Sequence, residues 1–260
     1  MEKLRFKESG VALYTILRRE IVRFFRIWSQ TLLPPIITMC LYFIIFGNLI
    51  GPRIGSMAGY SYIEYIVPGL IMMSVITNAY ANVVASFFGS KFQRSLEEML
   101  VSPVSNTIII WGYVLGGVAR GVIVGVLVMM VSLFFTDLKL QHISIIIVVG
   151  ILTAILFSLA GLLNGIFAKK FDDINIVPTF ILTPLTYLGG VFYSITLLSP
   201  FWQKISYANP VFYMVNAFRY GMLGYSDVDI VTAIMVIVGF IVVLYGLSVW
   251  LMNRGVGIRS

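Results

Sequence analysis

The run SIIIVVGILTAILFSLAGLLNGIFA, residues 144–168, contains no charged side chain over 25 consecutive positions. An α-helix needs about 20 apolar residues to cross the hydrocarbon core of a bilayer. Inside that core every backbone N–H and C=O group must be bonded within the segment, as it is in a helix. We therefore interpret this run as a membrane-spanning helix, which decides the class of the protein.

Five other stretches have a comparable apolar character, at residues 29–49, 66–88, 107–135, 174–192 and 230–252. Stretch 174–192 contains Pro178 and Pro184, so we expect it to depart from a straight helix. Hydrophobic residues make up 59% of the 260 residues and charged residues 11%, against about 45–50% and about 25% in soluble domains. The sequence thus predicts an all-α membrane protein, with six spans in a single domain over residues 1–260.

The basic residues are unequally divided between the segments that connect the spans. If both termini lie on one side, that side carries 13 of the 18 Lys and Arg residues, and the other side carries four. Cytoplasmic segments of membrane proteins carry the excess of Lys and Arg, so we predict that both termini are cytoplasmic. The inner residues are Lys3, Arg5, Lys7, Arg18, Arg19, Arg23, Arg26, Lys91, Arg94, Lys169, Lys170, Arg254 and Arg259. The outer residues are Arg53, Lys139, Lys204 and Arg219.

Two segments outside the spans have unusual patterns. In residues 11–26 apolar side chains recur at three- and four-residue steps and the arginines lie largely off that face. This pattern predicts an amphipathic helix in the inner membrane interface, although the solvated start of a long first helix is an alternative. Residues 193–229 are rich in aromatic residues and broken by Pro200 and Pro210, which favours short helices that re-enter the membrane from outside.

The loop GSKFQRSLEEMLVSPVSN, residues 89–106, contains a second amphipathic pattern. Over residues 91–100 apolar side chains follow one side, and Pro103 ends the predicted helix. Such a helix between two spans suits docking to a soluble partner, and a helix lying against the membrane fits the pattern equally well. The residues assigned to the docking role are Phe92, Arg94, Leu96, Glu97, Glu98 and Leu100.

Two motifs together resemble the ABC-2-type transporter permeases. Residues 94–104, RSLEEMLVSPV, are similar to the first cytoplasmic loop of that family. The outer segment matches the family's N-P-x-x-[aromatic or basic]-x₅-R signature, although Val211 stands where the family more often has a bulkier aliphatic residue or Phe. The signature residues are Asn209, Pro210, Tyr213 and Arg219. The resemblance covers essentially the whole chain and is closest in kind to bacterial inner-membrane permeases encoded as bare six-span subunits.

The resemblance implies the membrane half of an ATP-driven exporter. Two permease subunits, as a homodimer, would pair with two cytoplasmic ATP-binding subunits, and the helix at 91–100 would be the coupling helix that contacts the ATPase. The chain has no G-x-x-x-x-G-K-[ST] loop and no cytoplasmic stretch of domain size. We therefore expect no enzyme activity and no bound cofactor on this chain, with ATP and Mg²⁺ on the partner, and no nucleic-acid partner.

Four polar residues recur at every fourth position of the second predicted span: Ser74, Asn78, Asn82 and Ser86. An amide side chain in a membrane is costly unless a partner bonds it. The strip either lines a substrate path at the seam of a dimer or joins neighbouring helices by hydrogen bonds. The residue types alone leave both interpretations open.

Arg120 lies near the middle of the third predicted span. A charge at that depth marks a functional site by default, but this span is long enough for the side chain to snorkel to the inner interface. Asp172 and Asp173 are its best candidate partners. A face of small residues on the same span predicts close helix packing; these residues are Gly117, Gly121 and Gly125.

The functional expectation is export of an amphipathic, lipid-like or drug-like substrate, with glycolipids and polysaccharides among the candidates. The alternative is a self-sufficient secondary carrier or channel, but such carriers usually show internal repeats and ion-coupling residues, which this sequence lacks. A membrane-embedded enzyme is disfavoured because Cys40 and His142 are the only residues of their kinds and no acidic cluster accompanies them.

Overall fold

The computed structural model describes residues 6–138 and 140–257 and shows an almost entirely helical chain. Of the basic residues used for the orientation, Lys3, Arg5, Lys139 and Arg259 fall outside these ranges. The helices are α1 (Phe6–Arg26), α2 (Trp28–Thr31), α3 (Leu33–Tyr42), α4 (Gly51–Ile54), α5 (Tyr62–Phe92), α6 (Ser95–Val101), α7 (Asn106–Ser132), α8 (Ile143–Phe167), α9 (Asp173–Val177), α10 (Thr183–Tyr187), α11 (Pro200–Tyr207), α12 (Pro210–Leu223) and α13 (Ile230–Arg254). Phe43–Ile50 and Pro178–Leu182 are π-helical, and Ile195–Leu197 is a 3₁₀ helix.

Five helical segments in the described ranges are long and apolar enough to cross a membrane. Four are the single helices α5, α7, α8 and α13, whose ends agree with the predicted spans within about four residues. The other, Trp28–Ile54, is assembled from α2, α3, the first π-helical segment and α4. The apolar patterns therefore gave the correct position of each of these five segments.

The segment predicted as a fifth span, 174–192, is short and broken. Helix α9, the second π-helical segment and α10 have five residues each, which together reach about 22 Å at 1.5 Å per residue. Pro178 begins the π-helical piece, and the chain turns at Gly190 with φ +72°. The expected departure from a straight helix is confirmed, whereas a sixth span is not confirmed and stays a prediction.

A small β-hairpin precedes α5, and no sequence pattern predicted it. Strand β1 (Ser56–Met57) pairs antiparallel with β2 (Tyr60–Ser61). Ser61 then caps α5: its hydroxyl accepts the backbone N–H of Glu64, and the Glu64 carboxylate accepts the backbone N–H of Ser61. This capping box fixes the start of α5, four residues before the predicted start.

Helix α5 is the central element, since most of its residues are buried and it packs against α7, α8 and α12. Small residues allow the close approach. A methyl group at Gly121 would lie 2.9 Å from Cβ of Ala79, and one at Gly161 would lie 2.6 Å from the carbonyl oxygen of Tyr80. The close packing predicted from the glycine face of α7 is therefore confirmed, and Gly161 gives α8 a similar close approach to α5.

Helix α1 is separate from the first span, because the helical conformation is interrupted at Ile27 between α1 and α2. It lies along the first turns of α7, where Gly112 and Gly116 leave room for Ile16 and Glu20. Its location in the membrane interface stays a prediction. On the opposite side of the bundle, Pro200 and Pro210 each occupy the first position of a helix, where the missing N–H costs nothing.

Candidate functional site

The predicted helix 91–100 is in fact two pieces. Helix α5 continues to Phe92, and α6 begins at Ser95 after a turn in which Arg94 has φ +61°. The left-handed conformation of a residue with a Cβ interrupts the helix, because an L-residue in that region cannot continue it. The amphipathic pattern of the sequence did not reveal this break.

The buried and exposed residues of α6 also differ from the prediction. Leu96 is fully buried in the cluster that contains Ile109 and Tyr113, and Leu100 is partly buried against the same cluster. Leu96 therefore anchors α6 to its own chain, which corrects its predicted place on a docking face. Of the residues assigned to docking, Phe92, Arg94, Glu97 and Glu98 remain exposed, as are Gln93 and Val101 beside them. The coupling role of the assigned residues stays a prediction.

A cluster of charged and polar residues joins α1 to the end of α5 that precedes α6. We call these residues the inner charge cluster: Arg19, Glu20, Arg23, Asn82 and Ser86. Glu20 is 1% exposed and accepts hydrogen bonds from Ser86 Oγ at 2.7 Å and Arg23 Nη2 at 3.1 Å. Arg23 also donates to Asn82 Oδ1 at 2.9 Å, and Arg19 lies 3.4 Å from Glu20. The two arginines thus compensate a carboxylate that burial alone would disfavour.

The predicted polar strip therefore makes its contacts inside the chain. Asn82 and Ser86 belong to the inner charge cluster, and Asn78 Oδ1 accepts from Arg120 at 3.0 Å. Ser74 donates to the carbonyl oxygen of Leu70 within α5. These contacts satisfy both side-chain groups of Asn78, whose amide also donates to the carbonyl oxygen of Ser74 at 3.0 Å, whereas the amide nitrogen of Asn82 is buried without a hydrogen-bond partner among the described residues. A role of the strip on a substrate path stays a prediction.

Arg120 has partners other than the aspartates proposed from the sequence. It donates to Asn78 and to the backbone oxygen of Thr31 at 3.2 Å, so it links α7 to α5 and α2. Asp173 instead accepts the backbone N–H groups of Lys169 and Lys170 at 2.8 and 3.0 Å. The pairing of Arg120 with Asp172 or Asp173 was wrong, since an amide and a carbonyl oxygen closer in space take that place.

At the other end of the bundle, the signature residue Arg219 is fully buried in α12. Its guanidinium donates to the carbonyl oxygens of Gly190 at 2.6 Å and Tyr65 at 3.3 Å, and to Asn216 Oδ1 at 3.4 Å. Its Cζ lies 4.1 Å from the centre of the Tyr65 ring. Asn216 also accepts the backbone N–H of Asp227 at 3.1 Å. Arg219 thus joins α12 to the start of α5 and to the turn after α10.

The other signature residues organise the start of α12. Asn209 Oδ1 accepts the backbone N–H of Val211 at 3.0 Å, and its amide donates to the carbonyl oxygen of Leu185 at 2.6 Å. Pro210 is the first helical residue, and the hydroxyl of Tyr213 donates to the carbonyl oxygen of Tyr207. The signature therefore corresponds to helix capping and to the attachment of α12 to α5 and α10.

Comparison with known proteins agrees with this architecture. The sequence pattern of the ABC-2 type transporter family matches residues 11–223. The chain belongs to this ABC-2 family. It is 64% identical over 250 residues to the inner membrane transport permease YadH of Escherichia coli K12. The aligned region covers 96% of this chain and 98% of that protein. Nodulation protein J of Neorhizobium galegae is 21% identical over 238 residues, 91% of each chain.

Membership of the ABC-2 family confirms the resemblance derived from the loop and the outer signature. The chain is thus a permease subunit of a transporter, homologous to inner membrane permeases, and the matched region runs from α1 to α12. It includes α6, the inner charge cluster and Arg219.

Two contributors to these clusters escaped the sequence analysis. Glu20 lies among arginines on a basic helix, which is typical of a solvated residue, and its partner Ser86 is 66 positions away. Lys91 looked like an orientation signal, yet its Nζ donates to the carbonyl oxygens of Ile166 and Ala168, both at 2.7 Å, and so caps α8. In the part of the chain that the structure describes, no three His, Cys, Asp or Glu residues form a candidate metal site.

Proposed function

We propose that this permease is the membrane subunit of an ATP-driven exporter whose ATP is hydrolysed by a separate cytoplasmic subunit. The observation that carries the proposal is the match of the ABC-2 family to residues 11–223 in a sequence without a nucleotide-binding loop. ATP and Mg²⁺ would then be bound by the partner, and this chain would catalyse no reaction itself.

The proposed contact with the ATPase is the exposed side of α6 and the turn before it. Glu97 and Glu98 lie beside Arg94, with the exposed apolar side chains of Phe92 and Val101 at either end. Apolar side chains can supply contact area in a partner's groove, and charges beside them fix its orientation and select the partner. Leu96 would transmit movement of the partner to α7, since it packs α6 against the cluster that contains Ile109 and Tyr113.

The proposed assembly contains two copies of this chain, as a homodimer, and two ATPase subunits. ATP-driven closure of the ATPase pair would move the spans between inward- and outward-open arrangements. Both termini would be cytoplasmic, in accordance with the distribution of basic residues. Residues 174–192 would complete a sixth span, and α11 and α12 in the segment 193–229 would re-enter the membrane from outside. The largely apolar spans favour an amphipathic, lipid-like or drug-like cargo, including glycolipids and polysaccharides.

A charge-reversal experiment tests the coupling contact. The double variant Glu97→Lys/Glu98→Lys should fold normally, because both side chains are exposed, but should lose ATPase stimulation and copurification with the partner. Asp137→Lys is the control, since Asp137 is exposed in the segment that follows α7, at the end of that helix away from α6. Unchanged stimulation in the double variant would refute the role of α6. Transport by this chain alone, driven by an ion gradient, would instead favour a secondary carrier or channel.

A further inference from the structure

A cavity of about 470 Å³ lies between α1 and the end of α5 that precedes α6. Its size is within the range of about 300–1,000 Å³ that is typical of small-molecule sites. It is lined by three arginines of α1, Arg19, Arg23 and Arg26, together with polar side chains of α5 and the following turn such as Ser90 and Gln93. The family signature does not contribute to this cavity, although Gln93 and Ser95 in its lining flank Arg94 of the proposed coupling contact.

The charges that face the cavity have a clear excess of one sign. The arginines contribute three positive charges, and Glu20 is the one acidic residue among the lining residues. Glu20 is held at the buried end by Ser86 and by one nitrogen each of Arg19 and Arg23. The side chains of Arg19 and Arg23 are still 43% and 33% exposed, although Arg19 also donates to the hydroxyl of Tyr113 at 2.7 Å.

Arg26 is the arginine that is left for a ligand. Its side chain is exposed, and it makes no hydrogen bond or ion pair to any residue that the structure describes. A guanidinium presents a planar fork of N–H donors that matches the oxygens of a phosphate group. An anion in the cavity would therefore meet a free fork from Arg26, and the partly exposed side chains of Arg19 and Arg23 would add positive charge beside it.

The apolar part of the lining indicates what the anion is attached to. Val22 and Ile27 belong to the same cavity and are themselves exposed. Trp28, which follows Ile27 and begins the first span, is also exposed. A ligand with a charged head and an apolar tail can thus place its head among the arginines while its tail follows the first span.

We infer that this cavity binds the phosphate group of an amphipathic molecule drawn from the membrane leaflet on the side of α6. The inference deepens the proposed function, because it names the chemistry of a head group that an exported or a regulatory lipid would carry. It rests on that function only for the location of α1 at the membrane. Since binding involves this chain alone, it is tested without the ATPase.

The test is lipid binding to the purified chain in mild detergent, followed by native mass spectrometry. Phosphatidylglycerol, which is anionic, is compared with zwitterionic phosphatidylcholine on the wild-type chain and on Arg26→Gln. Arg18→Gln is the matched control, because Arg18 is also an exposed arginine of α1 but does not line the cavity. Both variants remove one positive charge from the same helix and break no hydrogen bond to a described residue.

Phosphatidylglycerol should bind the wild-type chain more tightly than phosphatidylcholine, and Arg26→Gln should weaken that binding about tenfold, the effect of losing one charge-assisted hydrogen bond. Arg18→Gln should change it less than about twofold. Equal weakening in both variants would refute a defined site, because it would indicate diffuse attraction to the basic helix. Equal binding of the two lipids would refute the preference for an anion.

Glycerol 3-phosphate distinguishes the two sources of the phosphate group. If it competes only at concentrations far above those of the lipid, the site recognises a lipid head together with its tail. If it competes at equal concentration, the site takes a soluble phosphate ester and the contribution of the tail is refuted. A failure to copurify an ATPase would leave all of these outcomes unaffected, so the two proposals fail separately.

Discussion

Arg219→Lys is the substitution that most directly tests how the end of the bundle around α12 is held together. The positive charge is kept, so the change isolates the geometry of the guanidinium. Arg219 reaches carbonyl oxygens on α5 and on the turn after α10, and the side chain of Asn216 on its own helix. A lysine ammonium is a compact and strongly hydrated point charge, which cannot reach acceptors on three sides at once.

The cost follows from what a lysine would leave unbonded. The short bond to Gly190 at 2.6 Å can be replaced in part, whereas the bonds to Tyr65 and Asn216, at 3.3 and 3.4 Å, would be lost. Bonds to a charged group contribute about 1.5–3 kcal/mol each, and their length puts these two at the lower limit. With the weaker contact to the Tyr65 ring, the loss in free energy of unfolding is about 3–4 kcal/mol. That corresponds to a fall in Tm of about 6–16 °C.

The assay is thermal unfolding of the purified chain in detergent, measured as the fraction that elutes as a single species after heating. Arg53→Lys is the control, because Arg53 is exposed on α4 on the same side of the bundle; its free energy of unfolding should change by less than about 0.5 kcal/mol. If Arg219→Lys unfolds at the same temperature as Arg53→Lys, the guanidinium does not hold α12 in place and the reasoning is refuted.

Three further predictions concern single positions. Gly161→Ala should destabilise the chain in the same heating assay, because the added methyl meets the carbonyl oxygen of Tyr80 at 2.6 Å, whereas Gly246→Ala, with nothing within 4 Å, should be neutral or stabilising; equal effects would contradict the packing. Arg94→Gly should raise Tm slightly by relieving the positive φ, and Arg94→Val should lower it. The Asp229 carboxylate accepts the backbone N–H of Thr232, which lowers its pKa. Its contribution is present above the unfolded pKa of about 3.9 and is lost as the pH falls through the lower folded value, so Asp229→Asn should lose this acid dependence of Tm.

The long helices could be predicted from the sequence because few backbone conformations are possible within a membrane. An apolar run of about 25 residues can satisfy its backbone in lipid only as a helix, so the bounds of α7, α8 and α13 follow closely from composition. The start of α5 was missed by four residues, because a capping box at Ser61 and Glu64 fixes it rather than the apolar pattern.

The contacts between helices were much less accessible. Arg120 was assigned to an aspartate because a cation within a span usually pairs with a carboxylate. Its partners are instead Asn78 and the end of α2, which lie close to Arg120 only in the folded bundle. The buried state of Glu20 depends on Gly116, which lets α1 approach α7 closely. The spacing of the apolar residues also cannot show whether the apolar side of α6 packs against its own chain or faces a partner. The structure shows the first, because Leu96 is buried.

The measurement that tests the central claim most directly is purification of the tagged permease from its native membrane in mild detergent, with identification of every protein that accompanies it. The account predicts a soluble ATP-binding subunit in roughly equal amount, whose ATPase activity depends on the permease and is lost in the Glu97→Lys/Glu98→Lys variant. Recovery of the permease alone, with no ATP hydrolysis in the purified fraction, would contradict the account.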